Sequence, residues 1–168
     1  MNEIRLLTSA DAAAFWAIRR EALENAPRAF SSSVQEHLAT TVEETAPRLD
    51  PKPDGDFVVG GFVDGALSGT AGFHREDRPK TQHKGIVWGV YVKPGARGRG
   101  LARAVMTTLI ERARTCRGLE QVNLHVVSDQ TAARTLYLSL GFEIVGHTPR
   151  ALKIDGQYAD WDQMILWL

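Results

Sequence analysis

The six residues Arg97-Gly98-Arg99-Gly100-Leu101-Ala102 combine the two things an anion site needs, close backbone approach and positive charge. They follow a β-branched and aromatic run, Ile86 to Val92, and open an amphipathic helix expected over Leu101 to Cys116. A strand that feeds a glycine-rich turn and then a helix leaves backbone N–H groups ahead of the first helical hydrogen bond. Those donors, with the positive end of the helix dipole, attract an anion. Gly98 and Gly100 have no Cβ to keep a phosphate at a distance, and Arg97 and Arg99 add charge. The expected ligand is a phosphate or pyrophosphate. A Walker loop would need Gly-Lys-Ser/Thr, which is missing, and a dinucleotide fingerprint would need glycine where Arg103 stands. An arginine–glycine segment also serves as an RNA-binding tract or a plain surface turn, and these six residues alone leave all three readings open.

A second constellation lies downstream. Leu124-His125-Val126-Val127 has strand character, Gln130 to Tyr137 follows as a helical segment, and Gly141-Phe142 leads into another strand. The pattern Arg-x-x-Gly-x-Ala at 97–102, followed by this strand–helix–Gly-Phe unit, resembles the acetyl-CoA motifs of the GNAT N-acetyltransferase superfamily. The later motif matches at Ala133, Leu136, Tyr137, Gly141 and Phe142, and departs at Gln130, where the family commonly has Asn. The resemblance covers nearly the whole chain. It implies acetyl-CoA as co-substrate, no metal, and transfer of an acetyl group to a primary amine.

The resemblance also implies residue roles. The cofactor would lie where two central strands splay, its pantetheine arm along the strand edge of Val90, Tyr91 and Val92. The backbone of Gly98, Arg99, Gly100, Leu101 and Ala102 would hold the pyrophosphate, with Arg97 and Arg99 as charged donors. Gln130 and Arg134 would reach the pantetheine arm or the phosphates. Tyr137 stands at the family position of the general acid that protonates the leaving thiolate. It also shares a helical face with Ala133, Leu136 and Leu140, which is what a core tyrosine would do.

Amine acetylation needs a proton removed as well as one delivered. With a lysine-like pKa of ~10.4, roughly one amine in a thousand is neutral near pH ~7.4, equivalent to about 4 kcal/mol of barrier. A base recovers part of that. Many relatives place a glutamate in the strand before the glycine turn, but here Trp88-Gly89 occupies it and no carboxylate lies between Lys84 and Val92. The candidates are His125, His74, Glu76, Glu36 and His37, or a water chain. Trp16, Phe30, Trp88 and Tyr91 are candidates either for an apolar acceptor cleft or for the core.

Composition narrows the classes. The chain has 168 residues, 43% of them hydrophobic, enough for one domain, 1–168, with a real core. Its 20 basic and 20 acidic side chains cancel, so no global field draws nucleic acid or an anionic membrane, and neither is an expected partner. The lone Cys116 cannot form an intrachain disulfide, and neither a signal peptide nor an apolar run of about 18 residues is visible. The expectation is a cytoplasmic protein, with Cys116 packed rather than reactive.

These residues need a scaffold to position them. Ile4 to Leu7 is expected as a first strand, and Thr8-Ser9-Ala10-Asp11 as a capping box opening a helix through about Asn25. Ser31 to Leu38 and Thr41 to Leu49 have helical patterns, with Pro47, Pro51 and Pro53 breaking the chain after them. Phe57 to Val63 and Ala66 to His74 form a hairpin around Asp64-Gly65, before a polar loop from Arg75 to Lys84. Glu143 to Thr148 and Trp161 to Leu168 are the last strands, joined through Asp155-Gly156. The expected fold is α/β: a mixed, mostly antiparallel sheet of six or seven strands flanked by helices.

Three functions fit. The first is acetylation of a small-molecule or amino-acid-like amine. The second is acetylation of a protein N-terminus or lysine. The third is a non-catalytic acyl-CoA-binding or RNA-binding protein. The family resemblance favours a homodimer, and Met164 to Trp167 would either offer an apolar edge for pairing two copies or be covered within the monomer.

Overall fold

Two hairpins set the frame of the sheet. In the computed structural model, which describes residues 2–168, Asp64 and Gly65 take φ of 49° and 79°, and Asp155 and Gly156 take 48° and 79°. Positive φ at both central residues matches a type I′ turn to the right-handed twist of its strands, so Asp-Gly closes each hairpin. The first joins β2 (Phe57–Val63) to β3 (Ala66–Arg75), and the second joins β6 (Glu143–Ile154) to β7 (Gln157–Trp167). With β1 (Asn2–Leu6), β4 (Lys84–Val92) and β5 (Gln121–Val127), they make one seven-stranded sheet in the order β1-β2-β3-β4-β5-β7-β6.

Every neighbouring pair is antiparallel except β4 and β5. That parallel pair is short, with only Lys84, Gly85 and Ile86 facing Gln121, Val122 and Asn123. Beyond Ile86 the strands diverge, which leaves the β5-facing edge of β4 without a strand partner.

Helices cover both faces. α1 (Ala12–Asn25), α2 (Val34–Leu38) and α3 (Val42–Leu49) lie on one face, where Phe15, Ile18, Ala22 and Leu49 pack with Val58, Phe62 and Leu67. α4 (Leu101–Arg114) and α5 (Thr131–Ser139) lie on the other, where Val105, Met106, Leu109 and Tyr137 join Phe57, Val59 and Leu124. β2 is therefore buried on both sides. Adjacent glycines make room: a Cβ at Gly60 would strike Leu7 and Leu67, and one at Gly61 would lie 2.8 Å from Leu101 and Val105. Among the described residues, no helix is long and apolar enough to cross a membrane.

Several expectations shift. The first helix begins with a 3₁₀ turn at Ser9–Asp11, where the Asp11 carboxylate accepts from the Thr8 N–H at 2.9 Å. α2 starts only at Val34, capped by Ser33, because the Glu36 N–H donates to the Ser33 hydroxyl at 3.2 Å. Pro47 does not break the chain but sits inside α3, and the helix ends at Leu49. In the second turn of an eight-residue helix, a proline removes only one intrahelical bond, and Thr41 with Glu44 secures the start. α4 stops at Arg114, so Cys116 lies past the helix but is buried, and that burial pushes its thiol up. The last hairpin is longer than its apolar pattern, because Asp155-Gly156 brings polar flanks into register.

Of the two readings of Met164 to Trp167, the free pairing edge is overturned and the strand is covered within the chain. β7 runs between β5 and β6, with Met164 opposite both Leu124 and Ile144. Its hydrogen-bonding groups are taken within the chain; the sheet's edges are β1 and β6.

Candidate active site

The site is built where β4 leaves β5. Gly89 takes φ of 63° and, with Val90, drops out of the β3 ladder, whose register shifts between Thr70 and Gly72. The hydroxyl of buried Thr70 donates to the Gly89 carbonyl at 3.1 Å and fixes this bulge. A bulge beside a strand gap turns backbone groups toward the opening, a common device at functional sites.

One cleft of about 450 Å³ opens on the α4–α5 side. Val90, Tyr91 and Val92 form one wall, and Gln130, Ala133, Leu136 and Tyr137 the opposite one. Arg97, Gly98, Gly100, Leu101 and Ala102 close its end. Gly98 and Gly100 adopt φ of 73° and 77°, a left-handed conformation that disfavours any side chain with a Cβ. The first backbone bond of α4 runs from the Ala104 N–H to the Gly100 carbonyl, so the N–H groups of Leu101 and Ala102 lie ahead of it. The turn is shaped as an anion cradle.

Not every expected residue faces this cleft. Arg97 does; its Nε donates to the Val92 carbonyl at 3.0 Å, tying the turn to the strand. Arg99 lies outside the cleft lining, exposed. Arg134 is also outside it, its Nε 3.0 Å from the buried Asp162 carboxylate of β7. Asp162 in turn meets His147 Nδ1 at 2.9 Å, and that contact holds its carboxyl below the usual range. Arg103, absent from the expected set, does line the cleft, and its guanidinium donates to Ser139 at 2.7 Å. A helical position three residues past Gly100 was the only hint of it.

Tyr137 is 6% exposed, with its ring edge-on to Phe142 at 5.9 Å. It is both core and cleft wall. Burial raises the phenol well above its ordinary value, so it keeps its proton across the physiological range.

A second cleft, of about 480 Å³, lies across the gap and shares Ala29 and Phe30 with the first. Its lining includes Arg19, Ser31, Trp88, Gly89, His125 and Trp161. Of the candidate bases, only His125 lines it. The His125 ring stacks on Trp161 at 4.5 Å, and burial lowers its pKa, so it is neutral near neutral pH. His37 Nε2 lies 2.9 Å from the Trp16 carbonyl, and its ring lies 4.7 Å from that of Trp16. The Glu36 carboxylate accepts from the Ser33 N–H. His74 is held by Asp56 at 3.0 Å, and Glu76 by Thr81, both among the residues of a charged hollow that also contains Lys52 and Arg117.

The aromatic set divides as well. Phe30 and Trp88 line the second cleft. Trp16 instead donates to the Thr40 carbonyl at 3.0 Å and anchors α1 to the segment after α2. Tyr91 is buried, its hydroxyl donating to Glu21 at 3.1 Å.

The chain matches known proteins over most of its length. The model of the acetyltransferase (GNAT) family matches residues 15–142. The mycothiol acetyltransferase of Salinispora arenicola is 33% identical over 116 residues, 68% of this chain and 38% of that protein. The L-methionine sulfoximine/L-methionine sulfone acetyltransferase of Pseudomonas aeruginosa is 37% identical over 84 residues, 49% of this chain and 48% of that protein. The matched segments thus span less than half of either relative. Among solved structures, an acetyltransferase of the GNAT family from Streptococcus pneumoniae superposes with a TM-score of 0.88 at 24% identity, covering 100% of both chains. The structure of yncA from Salmonella typhimurium with its cofactor acetyl-CoA gives 0.80 at 27% identity, covering 100% of this chain and 94% of that one.

Proposed function

This chain belongs to the GNAT acetyltransferase family, and on that premise we propose that it transfers an acetyl group from acetyl-CoA to the primary amine of a small molecule. One observation carries the reading: the α4 donor turn and the free edge of β4 meet in a single cleft whose wall includes a buried, protonated tyrosine. The residues present fit a nucleotide thioester. Gly98, Arg99, Gly100, Leu101 and Ala102 would offer backbone N–H groups to the pyrophosphate, and Arg97 and Arg103 charge, while the edge of Val90 to Val92 and the side chain of Gln130 would face the pantetheine amides. Acetyl-CoA, when bound, supplies a thioester carbonyl for the amine to attack and a thiolate to leave.

The chain's own groups handle the protons. His125, neutral because it is partly desolvated, takes the proton that the amine must lose to become a nucleophile. Tyr137 holds the proton that the departing thiolate takes up. The two lie on opposite clefts that share Phe30, so amine and thioester would approach the gap from opposite sides. Mycothiol and L-methionine sulfoximine, the compounds named for two relatives, are small molecules, which supports a small acceptor.

The test is calorimetric titration of acetyl-CoA into the wild type and an Arg97→Ala, Gly100→Val double variant. Binding is expected in the micromolar range for the wild type (about 8 kcal/mol) and lost in the variant. A folded wild type that binds no acetyl-CoA overturns the reading and returns the turn to other anions.

A further inference from the structure

Arg19 is a charge without a counter-charge. It projects from α1 into the second cleft, its guanidinium 4.9 Å from the Phe30 ring and 5.9 Å from the Trp88 ring. Its Nη1 lies beside the bulge, where a Cβ on Gly89 would be 3.4 Å away. That nitrogen is sealed from solvent and makes no hydrogen bond. Among the described residues, no carboxylate forms an ion pair with Arg19. Stacking on two rings compensates only part of the desolvation of a guanidinium, and an unmet buried donor is costly. Arg19 as a whole is only half-buried and lines the cleft, so the guanidinium remains open there to an anion supplied from outside.

The rest of the cleft narrows the anion. Among the described residues its lining has no acidic side chain, Arg19 is its only fixed charge, and burial holds His125 neutral. One positive charge matches one negative charge, and the planar fork of a guanidinium matches a carboxylate with two parallel bonds. A dianionic phosphate would meet a single cation. A polyamine or a lysine-rich peptide would bring further positive charge toward an unpaired arginine. A protein N-terminus would present an amide where the arginine needs an anion. The Ser31 and Ser32 hydroxyls, beside the apolar surfaces of Phe30, Trp88 and Trp161, leave space for a side chain.

Building on the acetyltransferase reading above, we propose that Arg19 binds a carboxylate of the acetyl acceptor, so that the substrate is an amine of the α-amino-acid class. The carboxylate pairs with the guanidinium next to the Gly89 bulge, and this directs the neighbouring amine toward the gap and His125. Specificity then comes from the acid group first and the side chain second.

The experiment measures thiol release with a panel of L-α-amino acids, each beside its carboxamide and its decarboxylated amine. The wild type should favour at least one free acid over both analogues by about tenfold or more in kcat/KM, because a buried donor left unpaired penalises the analogue. In Arg19→Gln that preference should fall to about threefold or less, chiefly through a raised KM, with Arg19→Lys retaining part of it. Acetyl-CoA affinity, titrated in the same samples, should be unchanged and shows that each variant is folded. Amides or plain amines served as well as acids by the wild type would overturn the proposal without any variant. So would a preference that survives Arg19→Gln, a preference for an aminophosphonate, or a wild type that binds acetyl-CoA yet acetylates no free acid. Failure to bind acetyl-CoA would instead count against the acetyltransferase reading itself.

Discussion

At the scale of the residue, the two clefts divide the proton chemistry between a group that keeps its proton and one that readily gives its proton up. Tyr137 is buried and protonated at any physiological pH, so the acid role proposed for it does not depend on titration. Tyr137→Phe keeps the ring that packs on Phe142 and removes only the O–H. The variant should bind acetyl-CoA normally yet transfer acetyl at least about tenfold more slowly, a barrier of about 1.4 kcal/mol. Unchanged turnover would leave Tyr137 as packing alone. His125 works the other way. Burial lowers its pKa, so the neutral form that the proposed base role needs persists to more acidic solution than an ordinary imidazole allows. The acid limb of the kcat/KM profile should therefore fall below pH ~6.5, and His125→Gln should abolish that limb while slowing transfer. A limb that survives the substitution would assign it to another group.

Elements place these residues through two local devices. The first is the bulge in β4, where Thr70 holds the Gly89 carbonyl on the one side that still has a strand partner. The second is the glycine pair in β2. Gly61 lies under the first turn of α4, where an added Cβ would sit 2.8 Å from Leu101 and Val105. Gly61→Val would lift that turn, and overpacking of this kind costs about 1–3 kcal/mol. Because Leu101 opens the helix that forms the anion cradle, acetyl-CoA affinity should fall together with the denaturation midpoint. A destabilised variant with full affinity would show that the cradle is set by its glycines and not by the sheet below.

For the whole molecule, the longest hairpin is tied down by charge. His147 on β6 is raised by its hydrogen bond to Asp162 on β7 and, less, by Asp160, while Asp162 is lowered first by His147 and then by Arg134. A raised histidine stabilises the fold fully below its unfolded value of ~6.5 and loses that contribution as pH rises through the folded value. A lowered aspartate stabilises above ~3.9 and loses it as pH falls through its folded value. Both contributions are present together only in mildly acidic solution. The wild type should therefore lose more thermal stability than His147→Gln as pH climbs past ~6.5, as calorimetry at several pH values would show. Parallel curves would mean that the hairpin rests on packing alone.

The chain's local signals determined much of this protein. Asp64-Gly65 and Asp155-Gly156 announced two hairpins, since only a few residue types accept positive φ at both turn positions. Gly98 and Gly100 marked the cradle for the same reason, and apolar spacing marked α4 and α5. Such features are carried by neighbours in sequence, so they are legible there. What only the tertiary structure decided depends on partners far along the chain. The place of β7 inside the sheet follows from pairing with β5 and β6 on either side, which no pattern within residues 157–167 encodes. The five candidate bases were equivalent as sequence, and only the splay of β4 from β5 put His125 on the second cleft while leaving the other four on helix α2 or around the charged hollow. Arg134 had a motif position beside the cofactor, yet buried Asp162 stands within 3.0 Å of it. Arg19 belongs to no motif in the sequence, and only the fold buries its Nη1 with no acid paired to it among the described residues. Burial and charge pairing are properties of the assembled fold, and they set which of these side chains are available for chemistry.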